Sequence, residues 1–215
     1  DLGNLFDLSL ALSLQPPMKG DNLVIITNGG GVGVLATDAA ERYNLPLKFA
    51  PKDVQEELKR HMPAFGSAKN PVDLTGMAGY DWYHDSTKFA FAHDWTDGLA
   101  VLYCETAMTD PMEIAQGIKK AIDESGVSGK KPVTVSFVGG EKSEKAMQWL
   151  VENHIPAYGA PDLAVHAISA LREFDRMKEI VSEPDEGISK VNKELAQKII
   201  AEAREDGRDT LTEIE

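Results

Sequence analysis

The chain has 215 residues and a formal charge of −13, with 42% hydrophobic residues, 27% charged residues and one cysteine. That length allows one sizeable core with appendages or two small domains, and no apolar run approaches the roughly 20 residues that span a bilayer. An acidic balance without any basic stripe speaks against nucleic acid as a partner; with no signal peptide and no partner for Cys104, the chain reads as a cytoplasmic protein free of disulfides and membrane spans.

Residues 1–14 predict a helix whose Leu2, Leu5, Phe6, Leu8, Leu10, Leu12 and Leu14 are too dense for a solvated face, and Pro16 and Pro17 stop it. Leu23-Val-Ile-Ile26 follows as a strand buried on both faces, then a glycine turn, then a helix opening near Val34 and running to about Tyr43. Residues 45–50 read as a second strand. Pro51 and Asp53 open a further helix with Val54, Leu58 and Met62 on one side, closed by Pro63.

Residues 69–76 are short and extended, with Asn70 before a proline and glycine punctuation after it; residues 81–92 form a helix. A second buried strand covers residues 98–104. Beyond it Thr109 or Asp110 is a natural N-cap, Pro111 suits a first helical turn and Glu113 suits the helix dipole, giving a helix to about Glu124. Residues 131–138 make the next strand, followed by Gly139-Gly140 and a helix over 142–153, then a short strand at 155–158 and a helix from Pro161 carrying Leu163, Ala164, Val165, Ala167, Ile168 and Leu171. The text turns charged from Arg172, with a linker at 183–187 and an amphipathic helix at 192–204. Strands alternating with helices specify an α/β fold: a doubly wound parallel sheet with helices on both faces.

In such a sheet ligands bind beyond the carboxyl ends of the strands. Asn28 to Gly33, Asp73 to Gly76, Glu105 to Asp110 and Gly139-Gly140 all follow strands and therefore share one rim. Helix N-termini there offer unpartnered amides and the positive end of a dipole, so the loop of Asn28, Gly29, Gly30, Gly31 and Gly33 is a candidate cradle for a phosphate or carboxylate. It lacks the Gly-Lys-Ser/Thr of a Walker loop. Gly31, Gly33 and Ala36 fit the loose dinucleotide pattern, but no acid ends the next strand. Glycines that merely allow close strand-to-helix packing remain the alternative. Cys104 reads as a small buried hydrophobe, Asp73 and Asp110 as caps or site groups, and Glu105 as a residue able to approach a partner histidine. His61, His84, His93, His154 and His166 have no metal-ligand spacing, so no metal site is expected, and none is flanked by the small residues of a phosphorylated loop; His84 is the one that follows the Asp73 loop.

Thr27-Asn-Gly-Gly-Gly-Val-Gly-Val-Leu-Ala-Thr-Asp38, Asn70-Pro-Val-Asp-Leu-Thr-Gly76, Thr106-Ala-Met-Thr-Asp-Pro111 and Phe137-Val-Gly-Gly140 resemble, in this order, the flavodoxin-like ligase domain of the NDP-forming acyl-CoA synthetases. That family includes ADP-forming acetyl-CoA synthetase and is related to succinyl-CoA synthetase. The opening residues 1–12 are similar to the helix leading into this domain, and residues 199–215 resemble the entry to an ATP-grasp domain. The resemblance implies a lead-in helix at 1–20, the flavodoxin domain at 21–176 and a connection at 177–215. It implies one domain of a longer enzyme that interconverts acyl-CoA, ADP and phosphate with free acid, CoA and ATP through an acyl phosphate and a phosphohistidine. The histidine, the CoA-binding domain, the ATP-grasp domain and the sites for CoA, ADP/ATP and Mg would lie elsewhere in the parent enzyme, and this piece would be inactive alone.

By the same resemblance, Asn28 and the glycines, Asp73, Thr75, Gly76, and Glu105, Thr106, Ala107, Met108, Thr109 and Asp110 around the Thr106 helix start correspond to substrate-acid and phosphate contacts. Thr106-Ala107-Met108 departs from the glycine pair of succinyl-CoA synthetase, which favours a smaller or less charged acid. Two other functions fit the same text: a non-catalytic regulatory or scaffold module of a fused protein acetyltransferase, and a flavodoxin-type FMN binder, although the Ser/Thr-rich phosphate loop of the latter is missing.

Overall fold

The computed structural model describes residues 2–182, 192–208 and 210–212. The chain divides into two compact units, residues 1–178 and 179–215.

The first unit is a five-stranded parallel sheet in the order β2-β1-β3-β4-β5, built from β1 (Leu23–Thr27), β2 (Val72–Asp73), β3 (Gly98–Cys104), β4 (Val133–Val138) and β5 (Ala157–Tyr158). Period-two alternation of buried side chains sorts them into two cores. Val24 and Ile26, then Leu99, Val101 and Tyr103, then Val133, Val135 and Phe137 face one side. There they meet α3 (Lys52–Leu58), α4 (Tyr80–Ala92), α5 (Pro111–Glu124) and α6 (Glu141–Glu152). Leu23, Ile25, Ala100 and Leu102 face the other, against α1 (Leu2–Leu14), α2 (Gly30–Arg42) and α7 (Pro161–Ser182). Both faces of every central strand are thus covered, which explains the unbroken aliphatic runs. Thr134 follows the same alternation and reconciles its hydroxyl with burial by donating to the Ala164 carbonyl at 3.0 Å. The order reverses direction between β1 and β3, where a flavodoxin-like sheet opens its crevice.

The expected strand at 45–50 does not form. Pro46 and Pro51 cannot donate to a ladder, and the edge of β1 is occupied by a side chain instead. Asn70 Oδ1 accepts from the Ile25 N–H at 3.0 Å, while its Nδ2 donates to the carbonyls of Leu23 and Lys48, each at 2.9 Å. One buried amide therefore replaces the first rungs of a strand pair and ties segment 45–50 alongside. Main-chain pairing takes over only at Val72 and Asp73, opposite Ile26 and Thr27. The Asn70–Pro71 peptide is cis, and Asn70 has a φ of 115°.

The opening helix also departs from expectation. Ala11 is its one buried residue and Leu8 and Leu10 are partly covered, but Leu2, Leu5 and Phe6 are 74%, 58% and 71% exposed. It is anchored to the sheet's far side through the Tyr158 hydroxyl, which donates to the Asp7 carbonyl, and through Gln15, which donates to the His154 carbonyl and accepts from the Val133 N–H. α7 runs past the point where the text becomes charged because Arg172 is buried within it: Nε donates to Asp21 Oδ1 at 2.6 Å and Nη1 to the Asn44 carbonyl at 2.9 Å. In the second unit, α8 (Lys193–Glu205) is capped by Asn192, whose side chain accepts from the Leu195 N–H. The linker expected at 183–187 lies outside the described residues. No helix among the described residues is long and apolar enough to cross a membrane.

Two stability predictions arise. Asn70→Ala orphans two buried main-chain groups and releases the more exposed Lys48 carbonyl, and is expected to cost about 2–4 kcal/mol, read from the midpoint of a denaturant titration; a loss under about 1 kcal/mol would contradict the rung role. Hydrogen bonding and charge from Arg172, with a smaller contribution from Arg176, hold the Asp21 carboxyl below its ordinary range. A depressed folded value means that the stabilisation is complete above the usual aspartate range near pH 4 and is lost as pH falls through the lower folded value. Thermal melts between about pH 2.5 and 6 should therefore show an acid-side decline that is shallower in Arg172→Met, on top of a lower melting temperature at neutral pH.

Candidate anion-binding rim

β1 and β3 stay in register to Thr27 opposite Leu102, and then separate. The Asn28 side chain spans the gap: its Oδ1 accepts from the Cys104 N–H at 2.8 Å and its Nδ2 donates to the Cys104 carbonyl at 2.9 Å. Asn28 is 3% exposed. The amide that the resemblance assigns to substrate thus has its carbonyl and one N–H committed to the scaffold. Beneath it the fully buried Tyr83 donates its hydroxyl to the Leu102 carbonyl, and burial pushes its phenol well above the ordinary value, so it stays a neutral donor.

α2 opens directly over this bridge. Gly29 is its N-cap in extended conformation and provides no side-chain bond; the first intrahelical bond runs from the Gly33 N–H to the Gly29 carbonyl at 3.0 Å. The amides of Gly30, Gly31 and Val32 precede it and point out of the helix start. The glycines here serve different ends. A Cβ on Gly33 would lie 3.2 Å from Thr27 Cγ2 and 3.6 Å from Pro71, so close packing accounts for that position. A Cβ on Gly31 would meet nothing within 4 Å, and one on Gly30 only Asp73 Oδ2 at 3.5 Å. Each is helical, and each costs roughly 1 kcal/mol against alanine. Nothing in the fold asks for them, whereas a ligand approaching the backbone would.

The neighbouring loops wall this opening. Asp73 Oδ1 accepts from the Thr75 N–H at 2.8 Å, a turn that holds Thr75 at a φ of 68° with its hydroxyl buried and unpartnered. Across the crevice, residues 105–110 form a loop, and α5 begins at Pro111 with Asp110 as its N-cap, one of the two caps the sequence offers. The Thr106 hydroxyl lies 3.2 Å from the Gly76 carbonyl and 3.1 Å from Thr109 Oγ1, which is 2.7 Å from the Tyr103 hydroxyl. Ala107 and Met108 stand exposed at the lip, Met108 at 72%, with Met77 at 51% on the adjoining loop.

Two expected site residues bond to helix starts. Asp110 Oδ1 accepts from the Met112 and Glu113 amides, so the tip of α5 is already occupied by a carboxylate. Glu105 Oε2 accepts from the N–H of Gly140, the N-cap of α6, at 2.9 Å and from the Ser143 hydroxyl at 2.8 Å, tying the end of β3 to the start of α6. Ser143 escaped sequence reasoning; its only signal is a small polar residue three places beyond a Gly-Gly turn. Of the five helices that leave the rim, α4, α5, α6 and α7 carry acids in the first turn, while α2 carries none. The α2 start thus has no acid of its own, although the Asp73 carboxylate on the neighbouring loop stands beside Gly30.

No histidine sits on these loops. His84 lies along α4 with Nδ1 at 2.7 Å from Asp85 and Nε2 at 3.3 Å from Glu124, the last residue of α5 and hence at its far end from the rim. His61 and His93 flank Phe89, and His166 stacks on Tyr43 at 4.1 Å. Among the described residues no group of three or more His, Cys, Asp and Glu is placed to hold a metal ion.

The Ligase-CoA domain model matches residues 23–181. The alpha subunit of acetate–CoA ligase (ADP-forming) I of Pyrococcus furiosus is 49% identical over 180 residues, 82% of this chain and 38% of that protein. Acetate–CoA ligase (ADP-forming) of Methanocaldococcus jannaschii is 32% identical over 210 residues, 94% of this chain and 30% of that protein. Among solved structures, the dinucleotide forming acetyl-coenzyme A synthetase 1 of Ca. Korarchaeum cryptofilum superposes in its apo form with a TM-score of 0.80 at 41% identity, covering 84% of this chain and 39% of that one. Its complex with phosphate and ADP gives a TM-score of 0.79. The chain thus spans well under half the length of the relatives it matches. Because the match takes in every strand of the sheet and the whole rim, the chain belongs to the Ligase-CoA domain family, in keeping with its motif resemblance to the NDP-forming acyl-CoA synthetases.

Proposed function

We propose that this chain is the anion-receiving domain of an NDP-forming acyl-CoA synthetase that interconverts acyl-CoA, ADP and phosphate with acid, CoA and ATP. The observation that carries the reading is the start of α2: three uncapped amides, two glycines with open space, no acid in the first turn, at the crevice where β1 and β3 part. Such amides stabilise a phosphoryl or carboxylate group without offering a nucleophile to it. The absence of histidine from the rim loops supports a phosphohistidine supplied by another domain of the parent enzyme, upstream of this one. CoA, ADP/ATP and Mg are assigned to that remainder, with the ATP-grasp domain downstream or on a second subunit.

Within the chain, Gly30, Gly31 and Val32 would hold the anion, and Asn28 would set the height of their loop by its bridge to Cys104. Asp73, Thr75 and Gly76 would form one wall and Thr106 to Asp110 the other, with Ala107 and Met108 narrowing the acid pocket in favour of a small acid such as acetate. The lead-in segment 1–20 and the stretch from 177 onward would connect this domain to its neighbours.

Two outcomes are expected. Incubated alone with acetyl-CoA, ADP and phosphate, the chain should form no ATP above the protein-free control in a luciferase assay; turnover by the chain alone would refute the supplied-histidine reading. Gly31→Ala should leave the melting temperature of the chain unchanged or raise it, since it removes about 1 kcal/mol of helix penalty, and yet should lower ATP formation by the parent enzyme at least tenfold. Full activity in that variant would remove the α2 tip from the site.

A further inference from the structure

The ring of Tyr103 is explained by its surroundings, but its hydroxyl is not. Near the end of β3 the buried ring lies 4.8 Å from that of Phe137 and edge-on to Tyr83 at 6.1 Å, a setting that phenylalanine would fill as well. The hydroxyl instead begins a chain of bonds that leaves the core. It lies 2.7 Å from Thr109 Oγ1, which is 3.1 Å from Thr106 Oγ1, which in turn is 3.2 Å from the Gly76 carbonyl. Each proton in this chain has one place. A carbonyl only accepts, so Thr106 gives its single hydroxyl proton to Gly76; Thr109 then donates to Thr106, and the phenol to Thr109. The Met108 N–H, 3.4 Å from Thr106 Oγ1, is a second donor to that oxygen. Burial holds the Tyr103 phenol above its ordinary range, so the first donor keeps its proton.

The far end of the chain lies on a different loop. Gly76 follows β2 and Thr106 follows β3, strands on either side of β1 and hence about 10 Å apart. The two loops nevertheless meet, since a Cβ on Gly76 would lie 3.8 Å from Thr106 Cγ2. The bond from Thr106 to Gly76 therefore joins two walls of the rim across the end of β1, and a buried phenol holds it from below. We infer that Tyr103 is a positioning residue for the acid received at the rim: its hydroxyl, acting through Thr109 and Thr106, fixes the Gly76 loop against the Met108 lip and so sets the width of the acid pocket. This rests on the proposed reading of those two loops as the walls of that pocket.

Tyr103→Phe keeps the ring and removes only the oxygen. In the 15N-labelled 215-residue chain it should shift the amide resonances of Gly76 and Met77 as well as those of Thr106 and Met108, and lower the melting temperature by no more than about 4 °C. In the parent enzyme it should raise the KM for acetate about three- to tenfold with kcat within about twofold, and lower the acetate-over-butyrate ratio of kcat/KM at least about threefold. Thr109→Val should act in the same way. Tyr83→Phe, which removes another buried hydroxyl, bonded to the Leu102 carbonyl, should leave the acid preference as in wild type. Unmoved Gly76 and Met77 amides in Tyr103→Phe, or an acid preference that Tyr83→Phe alters equally, overturns the inference. Wild-type kinetics in Tyr103→Phe overturn it as well: the α2 reading then stands if Gly31→Ala still lowers ATP formation, and falls too if that variant is fully active. Should Tyr103→Phe not fold, Thr109→Val decides by the same outcomes.

Discussion

The crevice depends on a single bridging amide. β1 and β3 would simply splay beyond Thr27 and Leu102, leaving the Cys104 main chain without a partner at the head of the crevice. Asn28 answers both groups of Cys104 with one planar side chain, so the loop leaves the sheet at a fixed angle and α2 starts at a fixed height. A buried pair of bonds of this kind is expensive to leave unmade, which makes the opening a rigid feature of the scaffold.

The same device recurs on the other edge of β1. Asn70 substitutes for a strand at the beginning of β1 as Asn28 does at its end, so the strand beneath the glycine loop is held on each side by an amide side chain where main-chain pairing fails. Charge is then distributed over this frame. Four of the five rim helices begin with acids, one of them further capped by the carboxylate of Asp110, and the remaining helix begins with glycines. Beside that helix start stands the Asp73 carboxylate, so the backbone dipole of α2 and one nearby negative charge act at the same place, while the more distant carboxylates of a chain of net charge −13 are screened.

The central strands were legible because their aliphatic runs admit no other burial, and α5 because proline and aspartate mark its start without ambiguity. The rim followed from the parallel topology, which forces every strand end to one side. What remained hidden were long-range side-chain bonds: no local pattern says that Asn70 will reach β1 or that Glu105 will accept from an N–H 35 residues later. The false strand at 45–50 has the same origin, since its place on the sheet had been taken by an amide. The bonds of Asn28 to Cys104 and of Thr106 to Gly76 and Thr109 were likewise hidden, because a motif records position and not which atoms are already engaged.

The uncovered face of α1 has its own consequence for handling the molecule in water. Leu2, Leu5, Phe6 and Leu12 form an oily strip on a helix whose only acid is Asp7. Copies of the chain are kept apart by their collective acidity, not by any local guard on that strip. As a solution is brought toward the sequence pI of 4.8, that mutual repulsion vanishes while the strip stays as adhesive as before, so colloidal behaviour turns on acidity well before the fold itself does.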